Sequence, residues 1–92
     1  MNKHEDVLKL TPNHTTKLTK SNGDKIDWGA PGGVDWLVVF DDETPFNKYF
    51  FHKGDADSGP IAEDANPDPD KKYKYTIYVN AALHMDPNVV IE

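Results

Sequence analysis

His84 and Met85 stand side by side in "NAALHMDP", residues 80 to 87. An imidazole next to a thioether is a pair that soft metals accept. With His52 and Asp35 they define one option, a thiolate-free copper or zinc site built from His52, His84 and Asp35. That option requires residues far apart in sequence to converge; otherwise these are a loop histidine and a methionine filling a gap in the core. "DADSG", residues 55 to 59, begins like a calcium loop. An EF-hand needs glycine at its sixth position and glutamate at its twelfth. Those places hold Pro60 and Asn66. Only a looser site using Asp55, Asp57, Asp64 or Asp68 is left, against the ordinary reading of a hydrated acidic run.

Catalysis finds little to work with. Ser21 and Ser58 lie in turns without the flanking residues of a nucleophile elbow. Asp41 and Asp42 are neighbours at a strand end, so their carboxylates point apart. "GAPGG", residues 29 to 33, lacks the lysine and helix of a phosphate loop. A non-enzymatic role is expected. Trp28, Trp36, Phe46, Tyr49 and Phe51 offer a different chemistry, stacking on a sugar or a partner. Trp28 and Trp36 fit strand patterns and belong in the core. Phe46, beside Pro45, and Phe51 fit either a core or a contact surface.

The elements that must position these groups are strands. "DWLVVF" alternates Trp36, Val38 and Phe40 with Leu37 and Val39, apolar on both faces, which predicts a central strand covered on both sides. "KKYKYTIYVN" sets Tyr73, Tyr75, Ile77 and Val79 against Lys72, Lys74, Thr76 and Asn80, with Tyr78 interrupting the polar face. "VLKL", "DKIDW", "KYFFH" and "NVVIE" supply shorter runs. Asn22-Gly23 tolerates positive φ and predicts a hairpin joining "TTKLT" to "DKIDW". Residues 54 to 71 read as a surface excursion, with a helical turn around "PIAEDA". No 3.6-residue period runs through three turns. One domain spanning residues 1–92 is expected.

Composition narrows the partners. There is no cysteine, which excludes disulfides, zinc–thiolate sites and thiol nucleophiles. The net charge is −6 and all 10 basic residues are lysines. An acidic chain without arginine is a poor reader of nucleic acid. No apolar run approaches the ~20 residues that span a bilayer. A monomer with no membrane or nucleic-acid partner is expected, cytoplasmic, or periplasmic if an export signal has been removed.

Three stretches, in order, resemble the cupredoxins. "GDKIDW" resembles their G-D-x-V-x-W strand, "YKYTIYV" their Y-x-Y-x-C strand and "NVVIE" their closing G-x-V-x-V strand. The resemblance implies an antiparallel Greek-key β-sandwich, cupredoxin-like or immunoglobulin-like, of about seven short strands. It also implies where copper ligands would stand: near Asp35 or Trp36, at Ile77 in place of the cysteine, and at His84 followed by Met85. Blue copper depends on its thiolate. Without a cysteine the type-1 site cannot form, so no cofactor is expected. The expectation is a binding or interaction module for a protein or small molecule. Its contact surface would be the loop end carrying Asp35, Trp36, Phe46, His84 and Met85.

Overall fold

The computed structural model describes residues 2 to 92. It is all-β: β1 (Asn2–Asp6), β2 (Thr15–Leu18), β3 (Lys25–Gly29), β4 (Trp36–Phe40), β5 (Phe50–His52), β6 (Tyr73–Val79), β7 (Ala82–Met85) and β8 (Asn88–Ile91). The described residues hold one 3₁₀ turn, Lys20–Asn22, and no α-helix. β1 and β3 form a two-stranded sheet. The larger sheet runs β2-β8-β6-β4-β5, with β7 also on β6.

The sheets are not purely antiparallel, and there are eight strands rather than seven. β1 runs parallel to β3, and β2 parallel to β8. The reason lies at Asn22-Gly23. Gly23 does take the left-handed conformation, φ 67°. The turn, however, sends the chain from one sheet to the other instead of closing a hairpin. Its closure is local: Thr19 N donates to Asp24 Oδ2 at 2.9 Å, which holds that carboxyl below the ordinary aspartate range. Leu18 before the corner and Ile26 and Trp28 after it are all buried. A corner lets both flanking strands face one core, and β2 is then free to pair with β8.

Period two is obeyed on the inner faces. Val38 and Phe40 of β4, Tyr75 and Ile77 of β6, Phe51 of β5 and Val89 and Ile91 of β8 meet Ile26 and Trp28 of β3 in one cluster. Trp28 lies 4.8 Å from Phe51 and 5.7 Å from Tyr75, centroid to centroid, with Phe40 and Phe46 edge-on around it. The prediction that β4 is covered on both faces fails. Leu37 and Val39 are only half-buried, and no third layer lies over them.

Two other local expectations shift. "VLKL" is a turn, because Asp6 accepts from Leu8 N with its side chain and from Lys9 N with its carbonyl. Val7 and Leu10, rather than Leu8 and Leu10, reach the core. The connection after β5 is no simple excursion. Trp28 N donates to Ala56 O, Ser58 N to Ile26 O, and Ile26 N to Ser58 Oγ. Residues 56 to 58 thus cover the free edge of β3. The helical turn shrinks to a single bend in which Ala65 N donates to Ala62 O.

Trp28→Ala should cost about 3–5 kcal/mol, a large part of a small domain's stability, as read by urea unfolding followed by circular dichroism. Tyr75 gives a pH-dependent companion. Burial pushes its phenol well above the ordinary value of 10, so the fold requires the neutral form. Its contribution is complete below pH 10 and is lost as the pH rises beyond it. Tyr75→Phe should lower stability at neutral pH, because Trp28 Nε1, 3.4 Å from the phenol oxygen, loses its acceptor. It should also flatten the alkaline fall.

Candidate functional site

The residues expected to share one surface separate into three places. Phe46 is 2% exposed and packs against Trp28 and Phe40 in the core. It therefore presents no contact surface. Its backbone is held there by Thr44, whose Oγ1 accepts from Phe46 N and donates to Lys48 O. Asp35 and Trp36 line one pocket with Leu37, Tyr78 and Ala81, of about 360 Å³. Trp36 is itself buried and contributes a wall rather than an exposed ring. His84 and Met85 line another pocket with Pro12, Thr76, Leu83 and Asp86, of about 330 Å³.

His84 is not on a loop. It lies in β7, which turns back on β6 through Asn80 and Ala81, both at positive φ (49° and 66°). Two consecutive left-handed residues give a tight hairpin that matches the strand twist. Asn80 also ties the hairpin to β4: its N–H donates to Asp35 O at 2.8 Å and its Oδ1 accepts from Asp35 N. Asp35 is therefore fixed beside the hairpin tip. Pairing then slips, because Tyr78 opposes Leu83 but Ile77 opposes Met85. His84 is the extra residue of the bulge. Its Nε2 is buried and makes no hydrogen bond.

The alternative metal set His52, His84 and Asp35 is not assembled. His52 sits on β5 opposite Leu37, Leu37 opposite Tyr78, and Tyr78 opposite Leu83. Three inter-strand steps of ~4.8 Å separate His52 from β7, far beyond a shared ion at ~2 Å from each nitrogen. Three carboxylates of the acidic connection are engaged locally. Asp55 pairs with Lys48, Asp57 Oδ1 accepts from Gly59 N, and Asp68 Oδ1 accepts from Asp70 N. Among the described residues no three histidine or carboxylate side chains gather around a point that could hold a metal.

What the registers do bring together is an apolar band on the outer face of the larger sheet. One cross-strand row reads His52, Leu37, Tyr78, Leu83; the next reads Phe50, Val39, Thr76. Leu83 is 72% exposed and Phe50 52%. Phe50 and His52 lie with their rings nearly parallel, 18° apart, and Lys48 Nζ is 5.8 Å from the Phe50 ring. The pocket at Asp35 opens at one end of this band and the pocket at Asp86 beside Leu83. Sequence reading missed Leu83 and Phe50. The signal available was Tyr78 interrupting the polar face of β6, together with the second apolar face of β4.

No protein-family model, no characterised protein and no solved structure matches the chain. Function must therefore be argued from the surface itself.

Zinc or copper added to the labelled protein should move the His52 and His84 ring resonances independently, with different midpoints. His52→Ala should leave the response of His84 unchanged. A single shared midpoint would restore the convergent site.

Proposed function

We propose that the chain is a small, non-enzymatic binding module, a two-sheet domain of the cupredoxin-like type without type-1 copper. The absence of cysteine and the three strand motifs support that reading. So does the way both sheets close over one aromatic core. The Greek-key description belongs to the same proposal. The module acts as a monomer, and a net charge of −6 opposes non-specific self-association.

The observation that carries the proposal is the apolar band across β5, β4, β6 and β7. Isolated apolar residues on a surface are ordinary, but a contiguous band marks a contact site. Tyr78 suits such a place, because its ring gives apolar area and its hydroxyl can stay wet. The pocket walled by Trp36, Leu37, Tyr78 and Ala81 falls in the volume range of small-ligand sites, with Asp35 as its only charged lining residue. The contact surface keeps Asp35 and His84 from the sequence expectation, leaves Trp36 and Met85 as pocket walls that belong to or pack against the core, drops Phe46, and gains Leu37, Tyr78, Leu83 and Phe50. The partner is an apolar segment of a protein or a small apolar molecule.

Titration with a neutral probe, 2-naphthylmethanol, tests this by amide and methyl NMR. Saturable shifts should concentrate at Leu37, Tyr78, Ala81 and Leu83. Leu83→Asp should weaken the probe roughly tenfold, from the loss of about 1–2 kcal/mol of apolar contact. The urea midpoint should stay unchanged, because Leu83 is exposed. Shifts spread evenly over the surface, or gathered on residues 54 to 71, would remove the reading.

A further inference from the structure

We infer that the pocket beside Asp35 takes a small arylalkylammonium, its ring system on Leu37 and Tyr78 and its ammonium at the Asp35 carboxylate. The inference rests on the outer face being a contact surface and names the small molecule that this end of it takes.

Position and charge are the first observation. Trp36 opposes Val79 in the register of β4 and β6. The hydrogen bonds between Asp35 and Asn80 carry that ladder one step further. Side chains alternate along an extended chain, so Asp35 stands on the same side of the sheet as Leu37, about 7 Å along it. Leu37 in turn opposes Tyr78. A carboxylate thus borders an apolar floor, and the step between them matches a ring system joined to an ammonium by a short alkyl link. Asp35 is the only charged residue lining the pocket, whose volume of about 360 Å³ suits a small molecule. The backbone of Asp35 is engaged by Asn80, but its carboxylate makes no ion pair or hydrogen bond among the described residues. A ligand cation therefore displaces water there and not a lysine. Tyr78 adds a ring of the kind that attracts cations. An anion meets repulsion from Asp35 and from a net charge of −6.

The hairpin tip is the second observation. β6 and β7 are joined by two residues, Asn80 and Ala81, at φ 49° and 66°. Such a turn favours asparagine followed by glycine, because a Cβ is disfavoured in the left-handed region. Here the second place holds alanine. Asn80 has its task in fixing Asp35. The Ala81 methyl has none in the core, since Ala81 is exposed, but it lines the pocket. A ring seated on Leu37 and Tyr78 packs on that methyl. A side chain held against the local backbone preference at the rim of a cavity points to use of that cavity.

The probes are 2-naphthylmethylamine, an ammonium at neutral pH, and 2-naphthylmethanol, its neutral counterpart of nearly the same shape, each titrated into the labelled full chain. Saturable shifts should centre on Asp35, Leu37, Tyr78 and Ala81, and the amine should bind roughly two- to fivefold more tightly than the alcohol. Added salt should narrow that gap, and Asp35→Asn should close it. The anion 2-naphthoate should bind more weakly than the alcohol. Ala81→Gly should weaken amine and alcohol alike, roughly two- to fourfold, without lowering the urea midpoint, since glycine suits the turn. The inference is overturned if Asp35→Asn leaves the preference for the amine intact, or if Ala81→Gly leaves both affinities unchanged. Phe-Gly-Gly-amide carries a ring and an ammonium at a chain end and should bind more weakly than the amine; tighter binding would overturn the inference in favour of a peptide terminus. Shifts at the same residues that grow with protein concentration alone, with a dimer in sedimentation, would overturn it in favour of a second copy. If the alcohol binds the face and the amine binds no tighter, this inference alone falls. If neither binds, the contact-surface reading falls with it.

Discussion

The packing of Trp28 decides the arrangement of almost everything else. Its indole touches Phe40, Phe46, Phe51 and Tyr75, which come from three strands and a loop of the opposite layer. A chain of 92 residues buries a limited core and has no disulfide to help it. One large side chain at the centre of that core therefore ties the small sheet to the large one. The Asn22-Gly23 corner follows from this, since Leu18 and Trp28 must reach the same interior from two layers. The covering of β3 by residues 56 to 58 follows as well. An edge strand whose side chains form the core cannot leave its amides open, so Trp28 N and Ile26 N find acceptors in Ala56 and Ser58.

The same concentration leaves the other side of the large sheet bare. The aromatic cluster of Trp28, Phe40, Phe46, Phe51 and Tyr75 lies between the layers. A chain of this size has no third layer to place over Leu37, Val39 and Tyr78. The hydrophobic effect would favour covering them, and the chain carries enough charged residues to have placed lysine or glutamate there instead. It does so on neighbouring positions of β6, where Lys74 occupies the outer face. The apolar band therefore records a local choice of residues rather than a shortage of polar ones. Tight hydrogen bonding of Asn80 to Asp35 fixes one end of that band, while the bulge at His84 shapes the other.

Strand locations were legible because period two needs only the local sequence. "DWLVVF", "YKYTIYV" and "NVVIE" all fall where their alternation puts them, and Gly23 takes the conformation that its turn requires. Partner choice was not legible in the same way. Whether β2 pairs with β3 or β8 depends on which arrangement lets Leu18 and Trp28 share a core, and no short window contains that information. The site suffered for a related reason. Phe46 beside Pro45 has the composition of an exposed loop, yet Thr44 folds its backbone inward over the core. Leu83 has the composition of a core residue, yet the tight turn at Asn80 and Ala81 delivers it to the outer row with Tyr78. His52 and His84 each look like a ligand in isolation. Only the strand order shows that three inter-strand steps keep them apart.

The fold frame and the surface chemistry thus answer to different constraints. Ile77, which stands where the resemblance would place a cysteine, is fully buried between Trp28's neighbours and the bulge of β7. An isoleucine there strengthens the core that a ligand would have had to interrupt. The outer face beside it holds the row of Leu37, Tyr78 and Leu83. A metal site demands fixed ligands at ~2 Å, whereas a contact surface demands only an exposed face of matching character. The second requirement is the one that Leu37, Tyr78 and Leu83 meet.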